Sequence, residues 1–510
     1  MILILRKLFF IHITYSLKSS KNLSFLDLNF RKIDFTNYKQ IKSFIFKKNF
    51  YNLKNKNVHS FDFLNFSNNL GGKIGINLSR ISIFSWFKKN KNKLDFPWSE
   101  DLSARRLINL LYNYEYINSS SKSVDKKKLD TIIFFHMQRI LFDFKIKKIS
   151  EVTSFDILAY ILSSLLINKI NIGKIKYIKF IVEHQIDKIG MHKSYNILEH
   201  SKFINNLSEL KNILLYFNIK ESDLFDEIIL KMTSILNQYF HHDRSLPLFN
   251  GSNNIYTKII YNSLNKDTYL VRRDFSNIDN GIAFYGDKNK KLFFDVVQPN
   301  KDMISSNLNA GTLSIEFSGC GEKIFSNCGS SESFGKNPEY LRYSAAHSTI
   351  ILQNTNISEI KESNPHIKYP QSVVFRKDVN ENDEIFEGSH NGYIKKFNKI
   401  IKRKLIISKK NNILNGEDSF ISFKNDNERL MFHIRFHLAD EMTYNFTNNK
   451  KNIILKTKMN NIWLFKSNTE LKIEDSILVD NNFTKPIKQI VIKGIIIESK
   501  VIKKWSIEKI

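Results

Sequence analysis

Residues 307–317 read NLNAGTLSIEF, and this stretch decides the fold. Every second residue from Leu313 to Phe317 is apolar, the period-two pattern of an antiparallel strand with one buried face. The polar clusters NCG at 327–329 and SAAHST at 344–349 follow at the ends of further short apolar runs. The stretch therefore predicts a β-domain with polar side chains gathered at its strand ends.

The rest of the chain separates into a helical part and a strand part. From about Leu94 to Phe240 apolar residues recur at helical spacing. After His241 the period becomes two, and a turn at Gly286–Asn289 between two apolar runs predicts a hairpin. Further strands are predicted at Lys399–Ser408, Met431–Leu438, Asn461–Lys466 and Gln489–Ile497.

Length and element order together predict a multidomain α+β chain. Its 510 residues exceed one ordinary domain, and helices followed by strands indicate segregated domains. We predict an N-terminal segment at 1–85, a domain of α/α helices at 86–248 and a β-domain at 249–510.

The net charge of +28 would suit an anionic partner. Lysine is spread evenly along a chain that is also rich in Asn, Ile and Phe, so a compositional bias explains the charge better than the alternative, a functional basic cleft. The sequence contains no nucleic-acid-binding motif, and the even spread of lysine argues against nucleic acid as partner.

The N-terminus predicts neither export nor a membrane anchor. Its apolar start is interrupted by Arg6, Lys7 and His12, and no small-residue cleavage site follows. The run is also too short to span a bilayer, so we expect no integral membrane segment.

Six short motifs carry a family resemblance. In chain order they are SARRLI at 103–108, LFNG at 248–251, NAGTL at 309–313, AAHST at 345–349, GED at 416–418 and RFHL at 435–438. This ordered set resembles the heparinase II/III family of polysaccharide lyases, of the type carried by α-proteobacteria, over roughly Trp86 to Ile510. The resemblance implies an α/α toroid followed by an antiparallel β-sandwich.

The resemblance also implies a chemistry. Known members of the family cleave acidic polysaccharides by β-elimination at a uronic acid, which makes them carbon–oxygen lyases. A base removes the proton next to a carboxylate, and a hydrogen-bond donor must neutralise that carboxylate. The family implies an acidic polysaccharide as partner, no cofactor, and action in the cell envelope or periplasm.

One loop in the helical part carries the first candidate residues. Residues 189–197 resemble a family loop that reads Asp-Gly-Gly-His-x-Ser-Arg-Asn-Pro. The chain keeps His192, Ser194 and Asn196 and differs at Ile189, Met191, Tyr195 and Ile197. We predict His192 as a catalytic residue with Tyr195 as an acid beside it, and His347 as the contribution of the sheet. The alternative is a loop histidine that is hydrogen-bonded to backbone.

The sheet part departs from a zinc-binding pattern seen in relatives. Asn307 and Asn309 stand where relatives carry His-x-His, Asn327 stands at an Asp, and only His347 keeps a good ligand. Because amide oxygen is a poor zinc ligand, we predict no metal. Asn307 and Asn309 could instead bind a substrate carboxylate, or cap the backbone at the strand end.

A third set of candidates lies in the RFHL strand. His433, Arg435 and His437 alternate, so they project from one face, and Arg435 and His437 are predicted to bind sugar acids. The alternative is an ordinary solvated face. The adjacent His241 and His242 resemble a metal cluster, but neighbouring histidine side chains diverge on a helix.

Two functions follow. The first is a lyase that cleaves a uronate-containing glycan. The second is a non-catalytic glycan-binding or envelope-associated protein that keeps the fold and has lost the site. His192 and His347 favour the enzyme, whereas Ile189, Met191 and Asn309 favour the second function. The oligomeric state does not follow from the sequence.

Overall fold

The computed structural model describes residues 36, 38–98, 101–119, 121–167, 170–264, 281–299, 308–331, 339–360, 368–424, 428–447, 449–480 and 483–510. The chain folds into two compact units. The helical unit holds the described residues up to Gln185 together with Lys202–Ile229. The sheet unit holds Ile186–Ser201 together with Leu230–Ile510. The three predicted domain limits stay predictions.

Helices dominate the chain up to residue 264. Their bounds are α1 Tyr38–Lys42, α2 Lys56–His59, α3 Phe63–Leu70, α4 Gly72–Asn90, α5 Leu102–Tyr112, α6 Tyr114–Asn118, α7 Ser123–Ile146, α8 Ser154–Leu166, α9 Ile172–Gln185, α10 Ile197–Tyr216, α11 Asp226–Gln238 and α12 Thr257–Leu264. A short α13, Ile394–Phe397, lies among the strands. No helix in the described ranges is long and apolar enough to cross a membrane.

The helical unit is organised around a buried arginine from the SARRLI motif. The Arg106 guanidinium lies 4.1 Å from the ring centre of Trp86 and 4.2 Å from that of Trp98. Its Nε donates to His136 at 2.8 Å, and it also donates to the carbonyl of Pro97. Aromatic faces and carbonyls thus stabilise a cation that burial would otherwise make costly.

The strands form two antiparallel sheets in the described residues. The first has the order β1-β2-β3-β4-β10-β15-β14, with β5 beside β10, and the second has the order β11-β12-β13-β16-β9-β8-β7-β6. Their bounds are β1 Ile282–Gly286, β2 Lys290–Asp295, β3 Ile315–Gly319, β4 Glu322–Ser326, β5 Ile350–Leu352, β6 Val373–Val379, β7 Asp383–Tyr393, β8 Lys399–Ser408, β9 Ile413–Ser422, β10 Leu430–Leu438, β11 Thr443–Phe446, β12 Asn452–Lys456, β13 Ile462–Ser467, β14 Leu471–Asp480, β15 Phe483–Ile496 and β16 Lys500–Lys509.

The two sheets share one apolar core, which makes the sheet unit a sandwich. The ring centre of Phe432 in the first sheet lies 4.5 Å from that of Phe420 in the second. The ring centres of Phe436 and Trp505 lie 4.6 Å apart. The predicted hairpin is confirmed, because β1 pairs with β2. The prediction that 313–317 has only one buried face is wrong, because Glu316 and Ser314 are buried as well.

A buried ion pair joins the sandwich to the strand ends. Arg403 donates from Nε and Nη2 to Asp418 at 2.7 and 3.0 Å, and Trp505 donates to the same carboxylate at 2.9 Å. Arg403 Nη1 donates to the carbonyls of Leu313 and Ser348 at 2.9 and 2.8 Å. The GED motif thus supplies a structural carboxylate, and Arg403 connects β8 of the second sheet to the segments beside Thr312 and His347.

Asp418→Asn should lower the free energy of unfolding by about 3–5 kcal/mol, because it leaves the Arg403 charge buried without a counterion. The midpoint of urea unfolding of the full chain measures the effect. The control is Glu387→Gln, which breaks the partly exposed Lys402–Glu387 pair on the neighbouring β7 and should cost less than about 1 kcal/mol. Equal losses in the two variants would contradict the role given to Asp418.

Candidate active site

The turn that carries His192 and Tyr195 belongs to the sheet unit, although the sequence placed it in the helical part. Asp187 organises this turn. Its Oδ1 accepts the backbone N–H groups of Ile189, Gly190 and Met191 at 3.1, 2.9 and 2.8 Å. Gly190 has φ of 100°, and an added Cβ there would lie 2.6 Å from the Lys231 side chain, so the position requires glycine.

His192 is partly buried and held in one tautomer. Its Nδ1 accepts the backbone N–H of Ser194 at 3.2 Å and lies 2.7 Å from the Ser194 hydroxyl. Because Nδ1 accepts a backbone N–H, it carries no proton, and the Ser194 oxygen beside it accepts the backbone N–H of Asn196 at 3.2 Å. The proton of the neutral imidazole therefore resides on Nε2. Burial, with His200 and Lys193, lowers the pKa of His192 to about 3.

Tyr195 stands in a strained backbone conformation beside two carboxylates. Its φ of 49° lies in the left-handed region, which is uncommon for a bulky residue, and the residue is 2 % exposed. Burial, followed by the charges of Asp187 and Asp295, raises the pKa of the Tyr195 phenol. Tyr195 is therefore a proton donor at neutral pH and not a ready-made tyrosinate.

The two carboxyl groups near Tyr195 are themselves shifted toward neutral pH. Burial raises the pKa of Asp187 to about 6, against the opposing effect of its three amide hydrogen bonds and of Lys231. Burial raises the pKa of Asp295, at the end of β2, to about 7. Carboxyl groups with such pKa values can exchange protons at physiological pH, which marks the cluster as a candidate functional site.

Asn250 of the LFNG motif ties this turn to the strand cluster. Its carbonyl accepts from Asn196 Nδ2 at 3.0 Å, and its own Nδ2 donates to the Tyr195 carbonyl at 3.4 Å. Its Oδ1 accepts the backbone N–H of Asn309 at 3.2 Å. Asn196 also accepts the N–H of Glu199, as an N-cap of α10 does. The turn and the Asn309 segment therefore form one hydrogen-bonded region.

Asn309 and His347 provide buried polar groups without protein partners. Both atoms of the Asn309 carboxamide and both ring nitrogens of His347 are buried and make no hydrogen bond. An added Cβ at Gly311 would lie 3.1 Å from the His347 ring, so this ring packs directly against the backbone that precedes β3. Burial lowers the pKa of His347 to about 4. Unpartnered buried polar groups are rare and indicate a place where water or a ligand binds.

The alternative role of Asn309 as a strand-end cap is wrong, because its carboxamide bonds no backbone group. Asn307 lies outside the described residues. Asn327, predicted at an Asp position, is structural: its Nδ2 donates to Glu316 at 3.2 Å, and its Oδ1 accepts the N–H of Ser348 at 3.0 Å. An aspartate could not donate to Glu316, so the amide fits this neighbour.

Glu316 gathers the polar groups around β3. Its Oε2 lies 2.9 Å from His241 Nε2 and 3.2 Å from Lys323 Nζ, while Oε1 accepts the N–H of Leu248 at 2.9 Å. Burial would raise the pKa of Glu316, but these partners hold it below its usual value. His241 therefore pairs with a carboxylate. Across the described residues, no three His, Cys, Asp or Glu side chains cluster as metal ligands.

Arg435 and His437, the predicted substrate-binding residues of β10, both have partners within the protein. Arg435 lies 3.2 Å from Glu474 and donates to Gln489 at 3.1 Å, so its charge is compensated within the sheet. His437 is buried, and its Nδ1 lies 2.7 Å from the Ser476 hydroxyl. The alternative of a solvated face is wrong, because His437 is 1 % exposed.

Four residues of this region carry little or no signal in the sequence. Asp187 has a weak one, since an Asp three residues before a Gly is typical of a side-chain-capped turn. Asn250 is visible only as part of the LFNG motif. Asp295 and Glu316 have none, because a carboxylate on a strand is ordinarily interpreted as solvent-facing.

The chain is similar to known proteins in both family and fold. The family described as "Heparinase II/III-like, C-terminal" matches residues 273–506. No curated protein sequence resembles the chain closely enough to count as a relative. The structure of heparinase III matches with a TM-score of 0.74 at 12% identity, over 98% of this chain and 89% of that one.

Two further solved structures are similar. The heparan sulfate lyase from Pedobacter heparinus has a TM-score of 0.59 at 12% identity, over 98% of this chain and 87% of that one. A Paenibacillus xanthan lyase has a TM-score of 0.54 at 8% identity, over 98% of this chain and 59% of that one. These likenesses confirm the predicted α+β fold class, an N-terminal α/α toroid followed by a C-terminal antiparallel β-sandwich.

The buried histidines of the sheet unit should make folding sensitive to acid. The pKa of His241 and of His347 is about 4 and that of His437 is about 3, whereas each titrates near 6.5 when unfolded. Between pH 6.5 and 4 the unfolded chain binds more protons, so stability falls by about 1.4 kcal/mol per pH unit for each histidine. Urea midpoints at pH 7.5 and 5.5 measure the loss.

The variant His347→Gln removes one of these titrations and should show a smaller loss between the two pH values. The same substitution at exposed His184 is the control and should leave the loss as in the wild type. A loss between pH 7.5 and 5.5 that is as large in His347→Gln as in the wild type would contradict the neutral, buried state of the His347 ring.

Proposed function

We propose that the chain, whose residues 273–506 match the family described as "Heparinase II/III-like, C-terminal", is a carbon–oxygen lyase that cleaves an acidic, uronate-containing glycan by β-elimination. One observation carries the proposal. A proton-donating Tyr195 and a neutral His192 lie on one turn, and Asn250 hydrogen-bonds that turn to the segment of the unpartnered Asn309. Similar folds belong to heparinase III and to a heparan sulfate lyase.

Each of these residues has a chemical role in the proposed reaction. The Nε2–H of His192 and the Nδ2–H of Asn309 donate to the uronate carboxylate, which spreads the charge formed when the neighbouring proton leaves. Tyr195 moves the proton and then protonates the leaving oxygen. His347, in the same strand-end cluster, orients the sugar through a ring nitrogen.

The resemblance that supports this reaction also supports a location. Acidic glycans of this class are exposed at the cell surface, so we propose that the protein acts in the cell envelope or periplasm. Fractionation of the host cell with an antibody to the chain tests this. Recovery with cytoplasmic markers alone would exclude the location.

A second function is favoured by a different observation. Tyr195 is 2 % exposed, and the turn carries Ile189 and Met191 where the resembling loops carry Asp and Gly. A protein whose phenol cannot reach a sugar would bind glycans without cleaving them. Binding and product formation on the same substrates therefore separate the two functions.

The lyase reaction leaves a double bond conjugated with the carboxylate, so its product absorbs ultraviolet light. Incubation with sulfated glycosaminoglycans, glucuronate polymers and alginate-type polyuronates should raise this absorbance for at least one of them. Tyr195→Phe should lower the rate about 10²- to 10⁴-fold, because it removes the hydroxyl that moves the proton.

Tyr285→Phe is the matched control, because the Tyr285 hydroxyl donates to Asp287 at 2.6 Å, so this tyrosine likewise lies near an aspartate, but in the β1–β2 hairpin. It should leave the rate unchanged. A full rate in Tyr195→Phe would remove Tyr195 from the reaction. Measurable binding with no absorbance change on any glycan would favour the second function.

A further inference from the structure

A proton-moving tyrosine needs somewhere to send its own proton. The Tyr195 phenol is held in its protonated form by burial and by the two nearby carboxylates, so it cannot begin the reaction as tyrosinate. A neutral phenol can still remove a proton from carbon when a second base takes the phenolic proton in the same step. A group beside Tyr195 must therefore be able to take it.

The Asp187 carboxylate has the geometry for this role. Its Oδ1 is fixed by three backbone N–H groups between 2.8 and 3.1 Å, which set the orientation of the whole carboxylate. Its Oδ2 is buried and has no hydrogen-bond donor at ordinary distance. Tyr195 interacts with this same carboxylate. One oxygen is therefore occupied by the turn, and the other has no hydrogen-bond partner within the carboxylate that interacts with Tyr195.

We propose that Asp187 positions Tyr195 and accepts its phenolic proton during β-elimination. This inference rests on the proposed function and deepens it. It assigns a role to a residue outside the family-like loop motif, which begins only at Ile189.

The proton balance closes without a co-reactant. In the first step the substrate C5–H bond breaks, its proton goes to Tyr195 Oη, and the phenolic proton passes to Asp187 Oδ2. The C5 electron pair then forms the C4–C5 double bond, and the C4–O bond breaks. The leaving oxygen takes a proton from Tyr195 Oη, which regains its own from Asp187. Both residues end in their starting states.

Charged and titratable groups from several elements face the pair. Lys231 of α11 lies near Asp187, Asp295 of β2 lies near Tyr195, and Tyr239 lies near both members. Burial is the first cause that raises the pKa of Asp187, to about 6. Above that pH the carboxylate is free to accept a proton, and below it the acceptor is already filled.

The test compares the pH dependence of kcat/KM in the wild type and in Asp187→Asn. The asparagine keeps an Oδ1 that can accept the three backbone N–H groups, so the turn is preserved while the proton acceptor is lost. We expect a wild-type rate that falls below about pH 6, and a variant that is about 10²- to 10⁴-fold slower with no such fall. A lower kcat with little change in KM would separate proton transfer from binding.

Asp287→Asn is the matched control. Asp287 likewise accepts two backbone N–H groups with Oδ1, at 2.7 Å each, and bonds a tyrosine hydroxyl with Oδ2. Its substitution should leave the rate and its pH dependence unchanged. Equal rates in Asp187→Asn and the wild type would overturn the role of Asp187 and leave the lyase function standing.

A second measurement does not depend on turnover. The ring signal of Tyr195 in NMR, assigned by its loss in Tyr195→Phe, should shift with a midpoint near pH 6 in the wild type and not in Asp187→Asn. The absence of that midpoint would overturn the coupling of the two groups. A wild type that cleaves no glycan would overturn the proposed function, and the relay with it.

Discussion

The buried pair of Arg403 and Asp418 is the interaction on which the sheet unit depends. A guanidinium removed from water needs a counterion and acceptors for its N–H groups, and here the carboxylate and two carbonyls supply them. The carbonyls belong to Leu313, which follows Asn309 by four residues, and to Ser348, which follows His347 directly. The charge that holds β8 in place therefore also fixes the backbone that presents Asn309 and His347.

Glu316 and Asn250 are two further buried polar side chains whose hydrogen bonds fix the backbone of this region. Each accepts a backbone N–H from a loop segment, and each joins segments that are far apart in sequence. Glu316 accepts the N–H of Leu248, and Asn250 accepts that of Asn309. Since a buried carboxylate or carboxamide is costly unless it is fully bonded, these contacts specify one arrangement of the loops.

Other buried polar groups of this region have no hydrogen-bond partner in the protein. Both carboxamide atoms of Asn309, both ring nitrogens of His347 and one oxygen of Asp187 are buried without hydrogen bonds. Burial also moves titratable groups in opposite directions, because it disfavours every charged form: it lowers the pKa of His192 and raises that of Asp187. The region thus combines neutral histidines that donate hydrogen bonds with carboxyl groups able to exchange protons near neutral pH.

The sequence by itself determined the α+β class, the β1–β2 hairpin and the strands at Lys399–Ser408 and Met431–Leu438, because apolar periodicity reports which residues can share a core. It also drew attention to His192, Tyr195 and His347 through short motifs. Only the tertiary structure decided which polar residues are satisfied. The alternation at 313–317 looked half-buried, yet Glu316 is enclosed by partners from residues 241, 248, 323 and 327. Asp187 acquired its relation to Tyr195 from the way the turn folds. Hydrogen bonds between residues that are distant in sequence produce no periodic pattern of residue types. Their partners can therefore be identified only in the folded structure.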